Sequence, residues 1–179
     1  MDLVSRIDLA GLKVVKFPAP VLLSPSAEVE QFGDELAALA ERMLEIMYAS
    51  HGVGLAAPQV GLPIRLFVFN PAGRPEEAGA CVNPHFVDRD GAAVAEEGCL
   101  SLPGVTCKIK RYAQVTVRGQ DVTGRAIELV GEGLRARVFQ HEMDHLDGTL
   151  LVDRMSPVAR LANRRALKDL QDQYAEHAG

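Results

Sequence analysis

The chain has 179 residues, 47% of them hydrophobic, and its 19 basic and 24 acidic side chains leave a net charge of −5. A chain of this size can bury one substantial core, and it has no internal repeat or low-complexity linker, so we expect a single domain over residues 1–179. The acidic balance argues against general nucleic-acid binding, and no segment approaches the length of a membrane span.

The first regular patterns along the chain predict one helix and four strands. Between residues 34 and 49, apolar side chains recur at helical spacing, which predicts a helix with one buried face. The predicted buried residues are Leu36, Leu39, Ala40, Met43, Ile46 and Met47. Strands are predicted at about 64–70, 80–87, 114–118 and 126–130, the last two joined by a turn.

A second helix is predicted around His141 and His145, which are four residues apart and therefore face the same side. The predicted buried stripe consists of Leu134, Val138, His141 and His145. Gly148 follows where this helix would stop. Two inward-facing imidazoles can share one metal ion, and Glu142 between them is the residue type that takes a proton from a metal-bound water. The pattern predicts metal-assisted hydrolysis.

A catalytic site of this kind usually takes three protein ligands, so a third ligand is needed. Cys99 follows Gly98 and precedes a Pro-Gly pair, which suggests an irregular stretch that can aim a thiolate. Cys81 and Cys107 are interpreted as ordinary buried or partly exposed thiols. We therefore select Cys99 as the third ligand. Three cysteines also fit the reducing cytoplasm better than a disulfide framework.

Ser156 and Pro157 form an N-cap followed by a proline at the first helical position, which predicts a C-terminal helix. This helix would carry Val158, Leu161 and Ala162. Its basic residues form either a docking patch or a solvated face. They are Arg160, Arg164, Arg165 and Lys168. Because helices and antiparallel strands are segregated, we expect an α+β fold, with antiparallel sheets around a central metal-binding helix and a helix towards each end.

Three separate segments point to one family. Their sequences are GVGLAAPQ at 52–59, EGCLS at 97–101 and QHEMDH at 140–145. Together and in this order they resemble the three signature motifs of peptide deformylases, and the similarity runs from about Val14 to Met155. The resemblance implies a hydrolase that removes the formyl group from the initiator methionine of nascent polypeptides and releases formate, with a metal-bound water as nucleophile.

The resemblance also implies a role for individual residues. Cys99, His141 and His145 would be the metal ligands, and Glu142 the acid/base. The usual native metal of such sites is Fe²⁺, and Zn²⁺, Ni²⁺ or Co²⁺ can occupy them. Ligand softness alone is compatible with either zinc or ferrous iron.

Three further residues are expected to contact the substrate, a formyl-methionyl nascent peptide. Gln59 and the backbone N–H of Leu100 would bind the formyl oxygen, which gains negative charge in the transition state. Gly54 would offer backbone contacts. The C-terminal helix resembles an extension of bacterial-type deformylases, and its basic residues are a candidate contact with the ribosome.

The chain departs from the family's pattern at two places. Ala19 and Leu23 replace positions that are often Asp and Arg, and Val105-Thr106 lie a few places after the second motif, where many members have a basic or polar residue. These departures affect the expected contacts to the substrate's peptide backbone.

Two carboxylates lie beside the expected ligands. From the family's pattern, Glu97 is expected to pair with Arg111. Asp144 either orients a ligating imidazole or is a solvated helix residue.

Two alternative functions are weighed against deformylation. A zincin-type protease shares the His-Glu-x-x-His element but takes a downstream ligand, and the sole histidine after His145 is His177. A metal-stabilised module without chemistry would need a closed, four-ligand site, and only three good ligands are visible. The position of Cys99, ahead of the two histidines, favours the deformylase arrangement.

Overall fold

The computed structural model describes residues 7–177. Its α-helices within this range are α1 (Asp34–Ala49), α2 (Gly133–Leu146), α3 (Leu151–Arg154), α4 (Pro157–Ala162) and α5 (Arg164–His177). Short 3-10 helices lie at Pro20–Leu23, Ala57–Val60 and Pro75–Glu77. In this part of the chain no helix is both long and apolar enough to cross a membrane.

The strands form two separate antiparallel sheets. They are β1 (Gly54–Ala56), β2 (Leu66–Phe69), β3 (Gly79–Asp90), β4 (Ala93–Gly98), β5 (Thr106–Arg111), β6 (Gln114–Gln120) and β7 (Ala126–Glu132). The larger sheet has the order β1-β2-β3-β6-β7, and β4 pairs with β5 in a two-stranded hairpin. β1 is therefore an edge strand, and the β4–β5 hairpin is not hydrogen-bonded into the larger sheet.

The core consists of three hydrophobic clusters. In the first, α1 packs its apolar face against β1 and β2. In the second, α2 packs on the larger sheet around Phe67, Phe69 and Phe139, whose ring centroids lie 5.0–5.9 Å apart. In the third, Cys107 and Ile109 of β5 pack against the segment that contains α3. The helix α2 and the β4–β5 hairpin thus belong to different packing units.

The observed elements confirm the predicted α+β fold. Helix α1 has the predicted bounds, and all six residues of its predicted apolar face are buried. β2, β3, β6 and β7 overlap the four predicted strands, whereas β1, β4 and β5 are not predicted by the sequence analysis.

Two predictions for the helices are wrong in detail. The sequence predicts Leu134 in the buried stripe of α2, but this side chain is 53% exposed, because it lies in the first turn, beyond the packed face. The C-terminal helix is divided at Asn163 into α4 and α5. Ser156 caps α4 as predicted, accepting a hydrogen bond from Ala159 N. Val158 and Leu161 project from α4 into solvent.

Candidate active site

Helix α2 presents His141, Glu142 and His145 in one turn. It begins at Gly133, which has a positive φ of 55°, and ends at Leu146, where Asp147 N–H bonds back to Met143 O and Asp144 O. His145 and Glu142 are buried, and His141 is half-buried. The predicted inward orientation of both imidazoles is therefore observed.

Cys99 comes from another part of the fold, directly after β4. Its Sγ lies 3.3 Å from Nε2 of His145. One ligand atom from each of Cys99, His141 and His145 lies within 4.8 Å of the others, the spacing that a shared ion requires. A thiolate with two imidazoles suits a borderline-soft divalent metal, so these residues fit an ion of that class.

The other two cysteines lie away from this cluster. Cys81 is fully buried in β3, and burial raises the pKa of its thiol to about 12. Burial is also the main reason why the pKa of Cys107 is raised. Both side chains therefore stay protonated near neutral pH, as expected of structural thiols.

In the metal-free protein the pKa values of the two histidines are shifted in opposite directions. Burial by itself lowers the pKa of His141, but hydrogen bonds with Cys99 and Glu97 outweigh it and raise that pKa well above the ordinary value. Burial lowers the pKa of His145 well below the ordinary value. His141 Nδ1 lies 3.0 Å from Glu97 Oε2, which leaves Nε2 of His141 for a metal. Metal binding at His141 must therefore displace a proton.

Glu142 is a buried carboxylate at the cavity wall. Its Oε2 atom has no hydrogen-bond partner among the described residues. Burial raises the pKa of Glu142 to about 7. Gly54 packs directly against it, and a Cβ on Gly54 would overlap Glu142 Oε1 and lie 2.8 Å from Val138 Cγ1. The glycine is therefore needed to make room for the carboxylate.

The amide of Gln59 is held in a fixed orientation. Its Oε1 accepts the N–H of Ala56 at 2.9 Å. Its Nε2 donates to Ser101 Oγ at 3.3 Å and lies 3.6 Å from Cys99 Sγ. The donor end of the side chain thus points towards the metal ligands, where Leu100 also lines the cavity.

A cavity of about 420 Å³ opens beside these groups. It exposes Cys99, His141 and Glu142 to one space, and Val138 and Leu134 form part of its wall. Leu134 is therefore part of the wall of the site and not part of the core.

The three departures from the family's pattern lie differently with respect to this cavity. Thr106 lines it. Ala19 is buried in the third hydrophobic cluster, and Leu23 is exposed on the 3-10 helix Pro20–Leu23. Of the three, Thr106 is the residue placed to contact a ligand in the cavity.

Glu97 is the centre of a buried ion network. Its carboxylate accepts two hydrogen bonds from Arg111, at 2.8 and 2.9 Å, and one from Arg137 at 2.7 Å. Burial by itself raises the pKa of Glu97, but the bonds from Arg111 and His141 outweigh burial and hold it far below the usual range. The expected pairing of Glu97 with Arg111 is observed.

Asp144 belongs to the same network. It accepts Arg111 Nη1 at 2.6 Å and Arg154 Nη2 at 2.5 Å. It therefore orients the arginine that holds Glu97, and among the described residues its carboxylate bonds to arginines and not to an imidazole.

Sequence reasoning missed Arg137. Because arginine side chains are mostly exposed, the sequence alone predicts a surface position for this residue, yet Arg137 is only 8% exposed. The available signal was its position four residues before His141, which places it on the ligand face of α2.

The chain matches the polypeptide deformylase family over residues 11–161. A peptide deformylase from Acidobacterium capsulatum is 44% identical, over 88% of this chain and 94% of that protein. Peptide deformylase 1B, chloroplastic, from Oryza sativa subsp. japonica is 45% identical over 94% of this chain, which spans 64% of the length of that relative.

Solved structures agree with the sequence matches. The crystal structure of a peptide deformylase from Legionella pneumophila superposes with a TM-score of 0.85 and 40% identity, covering 92% of this chain and 97% of that one. A plant peptide deformylase 1B gives a TM-score of 0.88 at 38% identity, with 93% and 92% covered. The chain therefore belongs to the peptide deformylase family, the metal-dependent hydrolases that remove the formyl group from nascent polypeptides.

Proposed function

We propose that Cys99, His141 and His145 hold the metal and that Glu142 is the acid/base for deformylation in this chain. The observation that carries the proposal is the meeting of three ligand atoms within 4.8 Å beside a buried carboxylate. A divalent ion held there supplies Lewis acidity, which activates water for attack on a formyl carbon near neutral pH. Cys99, His141 and His145 would hold the ion, and because Cys99 and His141 line the cavity, a water could reach it there, as a catalytic site requires.

Glu142 moves the protons of the reaction. Its carboxylate accepts a proton as water adds to the formyl carbon, and then transfers it to the departing amine nitrogen as the C–N bond breaks. Formate and a free N-terminal amine are the products. Val138 and Leu134 give the cavity beside Glu142 an apolar wall.

Gln59 and the Leu100 N–H bind the formyl oxygen in this proposal. Charge grows on that oxygen when the tetrahedral state forms, and donors fixed beforehand stabilise it without reorganisation. The bond from Ala56 N–H to Gln59 Oε1 provides such fixation. Gly54 lies on β1, an edge strand of the larger sheet, and in this proposal its backbone pairs with an extended peptide by strand addition.

A single substitution tests the ligand set. Cys99→Ser should lose bound metal and formate release while keeping the fold, because hydroxyl is a poor ligand for a soft site. Cys107→Ser, which removes a buried thiol outside the cluster, is the matched control and should keep both. Full metal occupancy in Cys99→Ser would refute the ligand assignment, and retained activity would refute the mechanism.

We propose Fe²⁺ as the native ion, in line with the family's usual metal. The thiolate and imidazole donors are compatible with it and equally with Zn²⁺, Ni²⁺ or Co²⁺. Anaerobic purification followed by metal analysis and reconstitution with each ion tests this. Iron in the isolated protein, with turnover at least equal to the zinc form, is the expected result. Isolation of a zinc-loaded protein with full activity would contradict the proposal of Fe²⁺ and favour Zn²⁺ as the native ion.

We propose that the chain acts in the cytoplasm as one catalytic domain. The three cysteines are free thiols, and one of them is a proposed metal ligand that must stay reduced. Cell fractionation should recover deformylase activity in the cytoplasmic fraction, and limited proteolysis should yield one resistant core. Activity confined to another compartment, or two stable fragments, would contradict these proposals.

We propose that the basic patch of the C-terminal helices contacts the ribosome. The residues are Arg160, Arg164, Arg165 and Lys168, of which Lys168 pairs with Asp172 at 2.5 Å. A solvated face is the competing explanation. Co-sedimentation with ribosomes should be lost at low salt when Arg160, Arg164 and Arg165 are changed to Glu, with peptide deformylation unchanged. Equal sedimentation of parent and variant would favour the solvated face.

A further inference from the structure

The proposed metal ligands lie on opposite sides of a boundary inside the fold. His141 and His145 project from α2, which packs in the second hydrophobic cluster. Cys99 packs against the third cluster, together with the inner face of the β4–β5 hairpin. The hairpin shares no ladder with the larger sheet. The alignment of the cysteine with the histidines therefore depends on side chains that cross from α2 to the hairpin.

Arg137 makes such a crossing. It starts on α2, one turn before His141, and is buried against the hairpin. Its Nη1 donates to Glu97 Oε1 at 2.7 Å and to the Ile109 carbonyl at 3.0 Å. Its Nη2 donates to the Ala93 carbonyl at 2.9 Å. One guanidinium thus contacts both strands of the hairpin and the carboxylate that bonds to His141.

Arg111 has a different position in the network. Arg111 is on β5 and Glu97 is on β4, so their paired hydrogen bonds join one strand of the hairpin to the other. The Arg111 contact with Asp144 does reach α2, but at a residue shared with the exposed side chain of Arg154. Both arginines therefore join the hairpin to α2, but Arg137 does so through Glu97 and the backbone carbonyls of both hairpin strands.

We propose that Arg137 is a positioning residue for the metal site, fixing the Cys99 segment against the two histidines through Glu97 and the hairpin carbonyls. The inference rests on the proposed ligand set. Without Arg137, the carbonyl of the buried Ile109, the carbonyl of Ala93 and one carboxylate oxygen of Glu97 each lose a donor, and the hairpin can shift relative to α2. Mutation of a residue that orients metal ligands typically lowers metal affinity 10–100-fold, because ligand geometry is sensitive to small displacements.

The experiment uses Co²⁺ as the probe in the parent, Arg137→Met and Arg137→Lys. Methionine keeps the apolar stem and removes the donors, whereas lysine restores one charged donor. Arg135→Met is the matched control, since Arg135 is on the same helix with its guanidinium over Phe69 and Phe139. Co²⁺ transfer to a chelator, the thiolate-to-cobalt absorption band and the free energy of unfolding of the metal-free protein are measured.

We expect Arg137→Met to release Co²⁺ about 10-fold faster or more, with a shifted thiolate band, and Arg137→Lys to fall between it and the parent. Arg135→Met should keep the parental band and release rate even if it lowers stability. A parental band and release rate in a folded Arg137→Met, or in Arg137→Lys should the methionine variant not fold, would overturn the inference. Because no step measures deformylation, failure of the proposed function would be detected separately.

Discussion

At the scale of the residue, the unusual feature is Glu142, a carboxylate that is buried without a hydrogen-bond partner for Oε2 among the described residues. Burial raises its pKa from 4.5 to about 7 in the metal-free protein. The unfolded chain loses this proton near pH 4.5 and the folded protein near pH 7, so the parent loses stability as pH rises between these values. The charge needed for catalysis is therefore costly to bury.

This cost predicts the behaviour of Glu142→Gln, which is uncharged at every pH. Without metal, the variant should gain up to about 3 kcal/mol of unfolding free energy over the parent above pH 7. The gain should disappear below pH 4.5, where the parent carboxyl is protonated in both states. Urea unfolding with a chelator at pH 4 and pH 8 measures the difference. A difference that does not change with pH would contradict the burial argument.

Gln59 is the second residue-scale prediction. Because its donor end is directed at the site by Ala56, Gln59→Ala should lower kcat by about 10²–10³-fold, the usual cost of one such donor. Metal content should stay parental. Gln114→Ala, at an exposed glutamine of β6, serves as the control and should keep parental kcat. If Gln59→Ala lost metal in proportion to activity, the glutamine would support the ligands instead.

At the scale of the element, the sequence predicts α1 well because its apolar stripe is regular and continuous. The same reasoning does not predict β4, because the usual burial of apolar and exposure of charged side chains is reversed there: Glu97 is buried and Val94 is 63% exposed. A charged residue points inward there since Arg111 and Arg137 neutralise it. The three-residue β1 is too short to show a period. The motif residues themselves are predictable, but the partners that hold them depend on tertiary pairing.

The reversed burial in β4 leads to a prediction for the Glu97–Arg111 pair. Glu97→Gln or Arg111→Met alone should cost up to about 3–5 kcal/mol in metal-free protein, because each removes the bidentate partner of a buried charge. The double variant should cost less than the sum. The exposed pair of Arg118 and Glu128 is the control, where coupling should stay within about 1 kcal/mol. Additive costs at Glu97 and Arg111 would show that the pair is not coupled.

At the scale of the whole molecule, the metal would join the two packing units that meet at the active site. A ligand that binds only the folded state stabilises it by about 4 kcal/mol at a thousandfold excess over Kd. Co²⁺ should therefore raise the urea midpoint of the parent, and Cys99→Ser should show little gain. This boundary could not be read from the sequence, because all three motifs are continuous in the chain and meet only in the fold. An equal gain in both proteins would place the stabilising ion elsewhere.

The most direct test of the account is formate release from a formyl-methionyl tripeptide by anaerobic, Fe²⁺-loaded parent and Glu142→Gln proteins, with metal content measured on the same samples. The parent should turn over, and the equally loaded variant should be slower by at least about 10²-fold, because it cannot move the proton. Parental turnover by a metal-loaded Glu142→Gln protein, or none by a folded and loaded parent, would contradict it.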